Sequence, residues 1–366
     1  MKNLVDEKHS IVNVSKSILK HYGCYQQEDT ITELDHYLAE PSDHVIYLLL
    51  DGLGMNALKL HLDQEAILRR HLLRTVTSVF PPTTVAATHA VLAAKPPIET
   101  GYLGWIQYDP LEDLNLEVFL NTDFYTGKSA TRNYREEALP YVNLLERVKD
   151  KNPRVETFEL FPDFIPGGSK TFGEHLDRLD HIMRTHRKTF SYVYWVEPDL
   201  SQHRLGTKHP EVTRIIRDLD HQIAAFTAVM PERVRLIVIA DHGLIDVRPI
   251  ALDQDEVLFS YLRRKPSLEP RATNFFVKPD RLKDFERHFH RQYGAYYELY
   301  SRTRLFDERI LGTGKPHGTL KATLGDFVAI ATKDRMFTLK EKTPFKAHHA
   351  GMTSEEVHVP LILYMT

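Results

Sequence analysis

A single cysteine, Cys24, stands among 366 residues. That scarcity excludes an internal disulfide and any thiolate-rich metal site. Net charge is scarce too, at −3, which argues against a dedicated nucleic-acid binder, whose footprint is a strongly basic surface. No run approaches the roughly 18 uninterrupted apolar residues of a membrane span. The opening Met1-Lys-Asn-Leu-Val-Asp-Glu-Lys-His9 lacks the apolar core of a secretory signal. A cytoplasmic protein without a membrane partner is therefore expected. Repeats and low-complexity tracts are missing as well. What remains is 42% hydrophobic and 27% charged, ordinary for a folded chain. The length suits one large domain or a core carrying an insertion.

Two short stretches organise the rest. Asp199-Leu-Ser-Gln-His203 follows the apolar run 190–196, and Asp241-His-Gly243 follows the run 236–240. Runs of this length, rich in β-branched and aromatic residues, suit central parallel strands covered on both faces. Chemistry in open α/β sheets collects beyond the carboxyl ends of such strands. An Asp and a His at each of two strand ends point to a metal site.

In chain order, residues 1–40 read as a helical lead-in, with Ile11, Val14, Ile18 and Leu19 at helical spacing. The run 44–50 is the first buried strand and ends at Asp51-Gly-Leu-Gly54, where glycine lets the chain turn sharply into a helix over 55–73. Taken alone, Asp51 is equally well explained as a cap on that helix. A strand over 76–80 leads into Pro81-Pro-Thr-Thr-Val and a buried helix from Val85 to Ala94. A hydroxyl at that helix start meets free N–H groups and the positive end of the dipole, a ready environment for phosphate. The competing explanation is that Thr83 or Thr84 is simply an N-cap. Further strands are expected at 116–120 and 155–160, with helices over 136–149, around Phe172–Met183 and around Val212–Phe226. This alternation predicts a mostly parallel central sheet with helices on both faces. After Gly243 the pattern changes, and 251–345 reads as a small inserted α+β lobe. The metal-binding core is then expected over 41–250 and 346–366.

Collected in order, Asp51, Asp199, His203, Asp241, His242 and His349 stand at strand ends, with Thr84 as a hydroxyl. Carboxylate and imidazole ligation suits Zn²⁺, or less specifically Mn²⁺. Six such groups are too many for one tetrahedral ion and right for two.

With these residues in view, the sequence resembles the alkaline phosphatase superfamily, in particular its type I phosphodiesterase/nucleotide pyrophosphatase branch. The resemblance rests on Asp51-Gly, Phe80-Pro-Pro-Thr-Thr84, Glu197-Pro-Asp-Leu-Ser-Gln-His-Arg-Leu-Gly206, Asp241-His-Gly243 and His349-Ala-Gly351. It implies an alkaline phosphatase-like fold and two divalent metal ions. One would be held by Asp199, His203 and His349, the other by Asp51, Asp241 and His242 with Thr84. By register it makes Thr84 the nucleophile, forming a phosphothreonine during hydrolysis of a phosphodiester or pyrophosphate bond in a small, nucleotide-like substrate. Three positions depart from the pattern: Ala93-Ala94, Thr100-Gly101, and Trp105 where relatives commonly carry a phosphate-binding Asn. Trp105 either lines the substrate pocket or packs as core. The same apparatus could serve phosphomonoesters, phosphonates or phosphoryl transfer, and a third alternative is a phosphate-binding protein without turnover. His348 and His89 are expected to pack, His317 is a weak candidate contact, and Arg263, Arg264, Lys265 and Arg271 form a cluster that reads as solvated surface.

Overall fold

The computed structural model describes residues 3–340 and 345–365. Residues 1, 2, 341–344 and 366, which belong to the lead-in, the inserted lobe and the closing core segment expected above, lie outside that description. The apolar runs assemble into a six-stranded sheet in the order Leu72–Thr77, His358–Met365, Val234–Ile239, His44–Leu50, Thr189–Trp195, Glu156–Leu160. His44–Leu50 is buried at every position, as a strand with no solvent face must be. It pairs in parallel with Thr189–Trp195 and Val234–Ile239, and Glu156–Leu160 extends the parallel set. Only His358–Met365 runs against its neighbours. Helices Ile11–His21, Phe172–Thr185 and Pro210–Val229 turn apolar stripes onto the strands.

This register places the chemistry. Leu50 stands opposite Trp195, and Leu49 opposite Ile239, so Asp51, Asp199 and Asp241 leave the sheet at the same edge. Two backbone bonds tie the first pair of exits: Asp51 N–H to the Trp195 carbonyl at 2.9 Å and Asp199 N–H to the Asp51 carbonyl at 3.0 Å.

The expected helix over 55–73 is two short ones, Met55–His61 and Ile67–Arg70. Between them the Asp63 carboxylate accepts from the Glu65 and Ala66 N–H groups, a local turn that competes with the helix. The strand expected at 76–80 lies earlier, at Leu72–Thr77, on the sheet edge. The helix expected over 136–149 is interrupted at Pro140 and restarts at Leu144–Lys151. There Asn143 and Glu146 form a reciprocal capping box, a common helix-start device.

A second, antiparallel sheet has seven strands, in the order Tyr297–Ser301, Phe327–Ala331, Ala272–Phe275, Ser267–Glu269, Ile106–Asp109, Leu114–Glu117, Thr122–Asp123. Four strands come from the stretch expected as the insertion, and three come from 106–123. Leu268 opposite Ile106 joins the two contributions. The lobe therefore draws on more of the chain than 251–345, because the edge of the 267–275 hairpin needs a partner strand.

Arg271 also departs from expectation. It is fully buried, not solvated. Its Nε and one terminal nitrogen donate to the two oxygens of Glu356 at 2.6 and 2.8 Å. Glu356 in turn accepts from the Gly351 and Thr353 N–H groups. The second sheet is thereby strapped to the loop that follows His349. Replacing Arg271 by Met strands a buried carboxylate and is expected to cost about 3–5 kcal/mol, read by urea unfolding. A cost below about 1 kcal/mol would mean that solvent or relaxation compensates Glu356.

Candidate active site

Each sequence-predicted ligand lies at the carboxyl edge of the first sheet. Asp51 ends His44–Leu50, and Asp241 and His242 follow Val234–Ile239. Asp199 and His203 stand four residues apart on the helix Asp199–Leu205, a spacing that puts both on one face. His349 follows the short strand Ala347–His348. The turn after Asp51 requires glycine: Gly52 has φ +72°, and a Cβ there would lie 2.8 Å from Asp199 Cα. Gly243 is equally constrained, since a Cβ would fall 2.1 Å from the Glu355 carbonyl oxygen.

Two groups result. Asp199, His203 and His349 bring ligating atoms within 4.8 Å of one another, and so do Asp51, Asp241 and His242. The rings of His242 and His349 stack at 3.8 Å, so the groups adjoin. Thr84 is the first residue of the helix Thr84–Ala93. Its hydroxyl lies 3.3 Å from Asp51 Oδ2 and 3.2 Å from His242 Nε2.

The donor set fits divalent cations. Asp51 Oδ1, Asp199 Oδ1, Asp241 Oδ2, His242 Nδ1 and His349 Nδ1 are buried without a hydrogen-bond partner, a costly state for polar atoms that a bound cation would relieve for some of them. Burial, with the charges of Asp241 and Asp199, pushes Asp51 well above the usual carboxylate range. Burial and then Asp241 do the same to Asp199. Burial holds His203 down to about 4, lowers His242 and depresses His349 strongly. Neutral imidazoles beside crowded carboxylates are the form that ligates metal. The His203 ring is oriented by its Nδ1, 2.8 Å from the Ala347 carbonyl, which leaves Nε2 toward Asp199, as in outer-shell support of metal ligands.

The remaining candidates separate cleanly. His348 is buried beside His203 but belongs to neither group. His89 donates its Nδ1–H to the Val85 carbonyl and stacks on Tyr102 at 3.6 Å, and burial drives it to about 3. His317 packs beneath Gly101 and meets the Thr319 hydroxyl, outside both groups. Arg263 pairs with Asp326 and Arg264 with Asp113. Trp105 packs edge-on against Phe119 and donates its indole N–H to Glu117.

Sequence reasoning missed two groups. The Tyr194 hydroxyl donates to Asp51 Oδ2; the signal was a tyrosine inside a strand buried on both faces, whose hydroxyl must find a partner. Glu269 had no sequence signal. Only 2% exposed, it accepts through Oε1 from the Thr83 hydroxyl and from the Trp105 N–H, both at 2.7 Å. Thr83 occupies the N-cap position, yet its hydroxyl serves Glu269 and makes no cap bond.

Burial pushes Glu269 from an ordinary 4.5 up to about 7. The folded state thus holds its proton more tightly than the unfolded chain. The associated stability is complete below pH 4.5 and is lost as pH rises through about 7. In metal-free protein, Glu269→Gln is expected to abolish this loss, so that wild type falls by about 3 kcal/mol relative to the variant across that window. Urea unfolding at several pH values reads the difference; parallel pH profiles would contradict it.

Comparison with known proteins bears on the fold and the family. No curated protein sequence matches the chain significantly. The structure is similar to murine ectonucleotide pyrophosphatase/phosphodiesterase 5, with a TM-score of 0.64 at 15% identity, covering 88% of each chain. An inactive threonine-to-alanine variant of that murine protein, in complex with AMP, scores 0.63 at 16% identity over 89% of this chain and 88% of its own. Phosphonoacetate hydrolase from Sinorhizobium meliloti, in complex with phosphonoformate, scores 0.62 at 16% identity over 88% of this chain and 90% of its own. At these identities the likeness shows the fold, which is alkaline phosphatase-like. The sequence model described as type I phosphodiesterase / nucleotide pyrophosphatase matches residues 45–354, most of the chain and both ligand groups, and this protein therefore belongs to that family of hydrolases.

Proposed function

We propose that the protein hydrolyses phosphodiester or pyrophosphate bonds in small, nucleotide-like substrates, using two divalent cations and a phosphothreonine formed on Thr84. The observation that carries this reading is the Thr84 hydroxyl at 3.3 and 3.2 Å from members of one ligand group, with the second group adjoining. Asp199, His203 and His349 would hold one ion, and Asp51, Asp241, His242 and Thr84 the other, with Zn²⁺ preferred over Mn²⁺ for this mixed carboxylate and imidazole set. Bound there, such ions lower the pKa of a ligating hydroxyl and neutralise phosphoryl charge.

The chain's own groups supply the rest. Thr84 Oγ1, at the N-terminus of its helix, attacks phosphorus as the bond to the leaving oxygen breaks, and the hydroxyl proton faces Asp51 Oδ2. The helix dipole and free N–H groups favour the anionic product. Water then cleaves the phosphothreonine, releasing phosphate or a phosphomonoester and restoring the hydroxyl. The AMP complex and inactive threonine variant of the murine neighbour support a nucleotide-like ligand and a threonine with a catalytic role. The phosphonate hydrolase neighbour supports the alternative, in which the same groups act on phosphonates, phosphomonoesters or in phosphoryl transfer. A panel of aryl monoesters, aryl diesters, dinucleotides and phosphonates in Zn²⁺ and Mn²⁺ separates the two. We also propose a cytoplasmic setting, which suits a chain with one cysteine.

Thr84→Ala is expected to reduce diester turnover by at least about a thousandfold, while Thr84→Ser keeps measurable turnover. Thr83→Ala removes one hydrogen bond to Glu269 and is expected to be much milder. Inactive Thr83→Ala beside active Thr84→Ala would move the nucleophile by one residue. Two alanine variants at the wild-type rate would end the covalent mechanism.

Chelation is expected to lower the melting temperature, and Zn²⁺ in excess to restore it, since ligands that bind only the folded state stabilise it. Asp241→Ala and His203→Ala should each blunt this response and reduce turnover by orders of magnitude while the metal-free variants remain folded. A full Zn²⁺ response in both variants would remove these residues from the ligand set.

A further inference from the structure

Glu269 lies outside both ligand groups yet is held against the active centre from two sides. Its Oε1 takes the hydroxyl of Thr83, the residue immediately before Thr84, and the N–H of Trp105. The backbone at Gly104 runs so close that a Cβ there would meet Glu269 Cγ at 3.1 Å. Oε2 has no hydrogen-bond partner among the described residues, and no lysine or arginine there forms an ion pair with this carboxyl. Through Thr83, the carboxyl of Glu269 thus stands one residue from Thr84 without a cationic partner among the described residues.

Building on the proposed phosphoryl-transfer role of Thr84, we propose that Glu269 sets the charge selectivity of the site, disfavouring phosphoryl groups with two negative charges. A diester phosphorus carries one negative charge, and a monoester carries two above neutral pH. The extra charge meets the Glu269 carboxylate in a buried setting, where charge pairs interact far more strongly than in water. Diesters and the internal linkages of pyrophosphates are thereby favoured over monoesters and over inorganic phosphate. The selectivity also aids turnover, because it weakens retention of a released dianion. Thr83 and Trp105 act as positioning residues, since their two donors hold Oε1 and fix the plane of the carboxyl.

Glu269→Gln isolates the charge, because the amide oxygen can still accept both hydrogen bonds and the side chain keeps its length. On metal-loaded protein carrying Thr84→Ala, calorimetry at about pH 8 compares inorganic phosphate, largely a dianion, with dimethyl phosphate, a monoanion. Adding Glu269→Gln is expected to tighten phosphate relative to dimethyl phosphate on the order of tenfold. With Thr84 intact, the ratio of kcat/KM for an aryl monoester to that for an aryl diester should rise by a similar factor. Glu269→Asp, which keeps the charge, should stay near the wild-type ratio. The proposal is overturned if Gln leaves both ratios unchanged, if Gln weakens both probes equally, or if Asp behaves like Gln, since shape and not charge would then be responsible. Failure of every ester to turn over would instead overturn the hydrolytic reading, and the calorimetric comparison would still decide the charge selectivity.

Discussion

Three buried carboxylates, Asp51, Asp199 and Asp241, converge at one edge of the sheet, and no lysine or arginine among the described residues forms an ion pair with any of them. Bringing such charges together away from water is strongly unfavourable unless protons or cations neutralise them. The surrounding architecture follows from that constraint. Parallel register brings the three strand ends level, Gly52 and Gly243 allow the turns to close, and burial leaves the neighbouring imidazoles neutral. A fold that maintains this crowding carries a penalty that protons or a cationic ligand must relieve.

Much of this was legible in the sequence because it is local. An apolar run followed by Asp-Gly or Asp-His-Gly encodes both a buried strand and what stands at its tip, and the Asp199–His203 spacing encodes one helix face. Register then needed only the rule that parallel strands end together. Illegible features depended on contacts between distant segments. The pairing of Leu268 with Ile106 joins stretches more than a hundred residues apart, and no periodicity announces it. Arg271 looked like one of four surface cations because its partner, Glu356, lies far along the chain. Glu269 was invisible for the same reason: a lone acidic residue is usually solvated, and only the folded chain shows Thr83 and Trp105 around it. Thr83 was the subtler case. It stands at the cap position that the sequence offers to either Thr83 or Thr84, but its hydroxyl faces another sheet.

The two sheets divide the work unequally. The first supplies the nucleophile and every proposed ligand except His349, from strand ends and the elements that follow them; His349 follows Ala347–His348, which pairs with Ile245–Asp246 in a separate two-stranded ribbon. The second contributes no ligand. What it contributes is Glu269 at the nucleophile turn and Arg271 at the loop behind His349, the last residue of one strand and a turn residue of the same tight hairpin. One short hairpin thus touches the centre at two separated points.

That hairpin bears on how the chain can be dissected. Removing residues 251–345 to obtain a smaller catalytic body would do more than excise a lobe. It would leave Ile106–Asp109 with an open strand edge, take the Arg271 guanidinium away from Glu356, and release the Thr83 hydroxyl. A minimal version of this protein is therefore not a contiguous cut but a redesign, in which a new edge partner and a new acceptor for Thr83 must be built into the shortened chain. Graft experiments that exchange the lobe between relatives face the same requirement: the donor lobe has to match the recipient at the 106–123 strands as well as at the splice points.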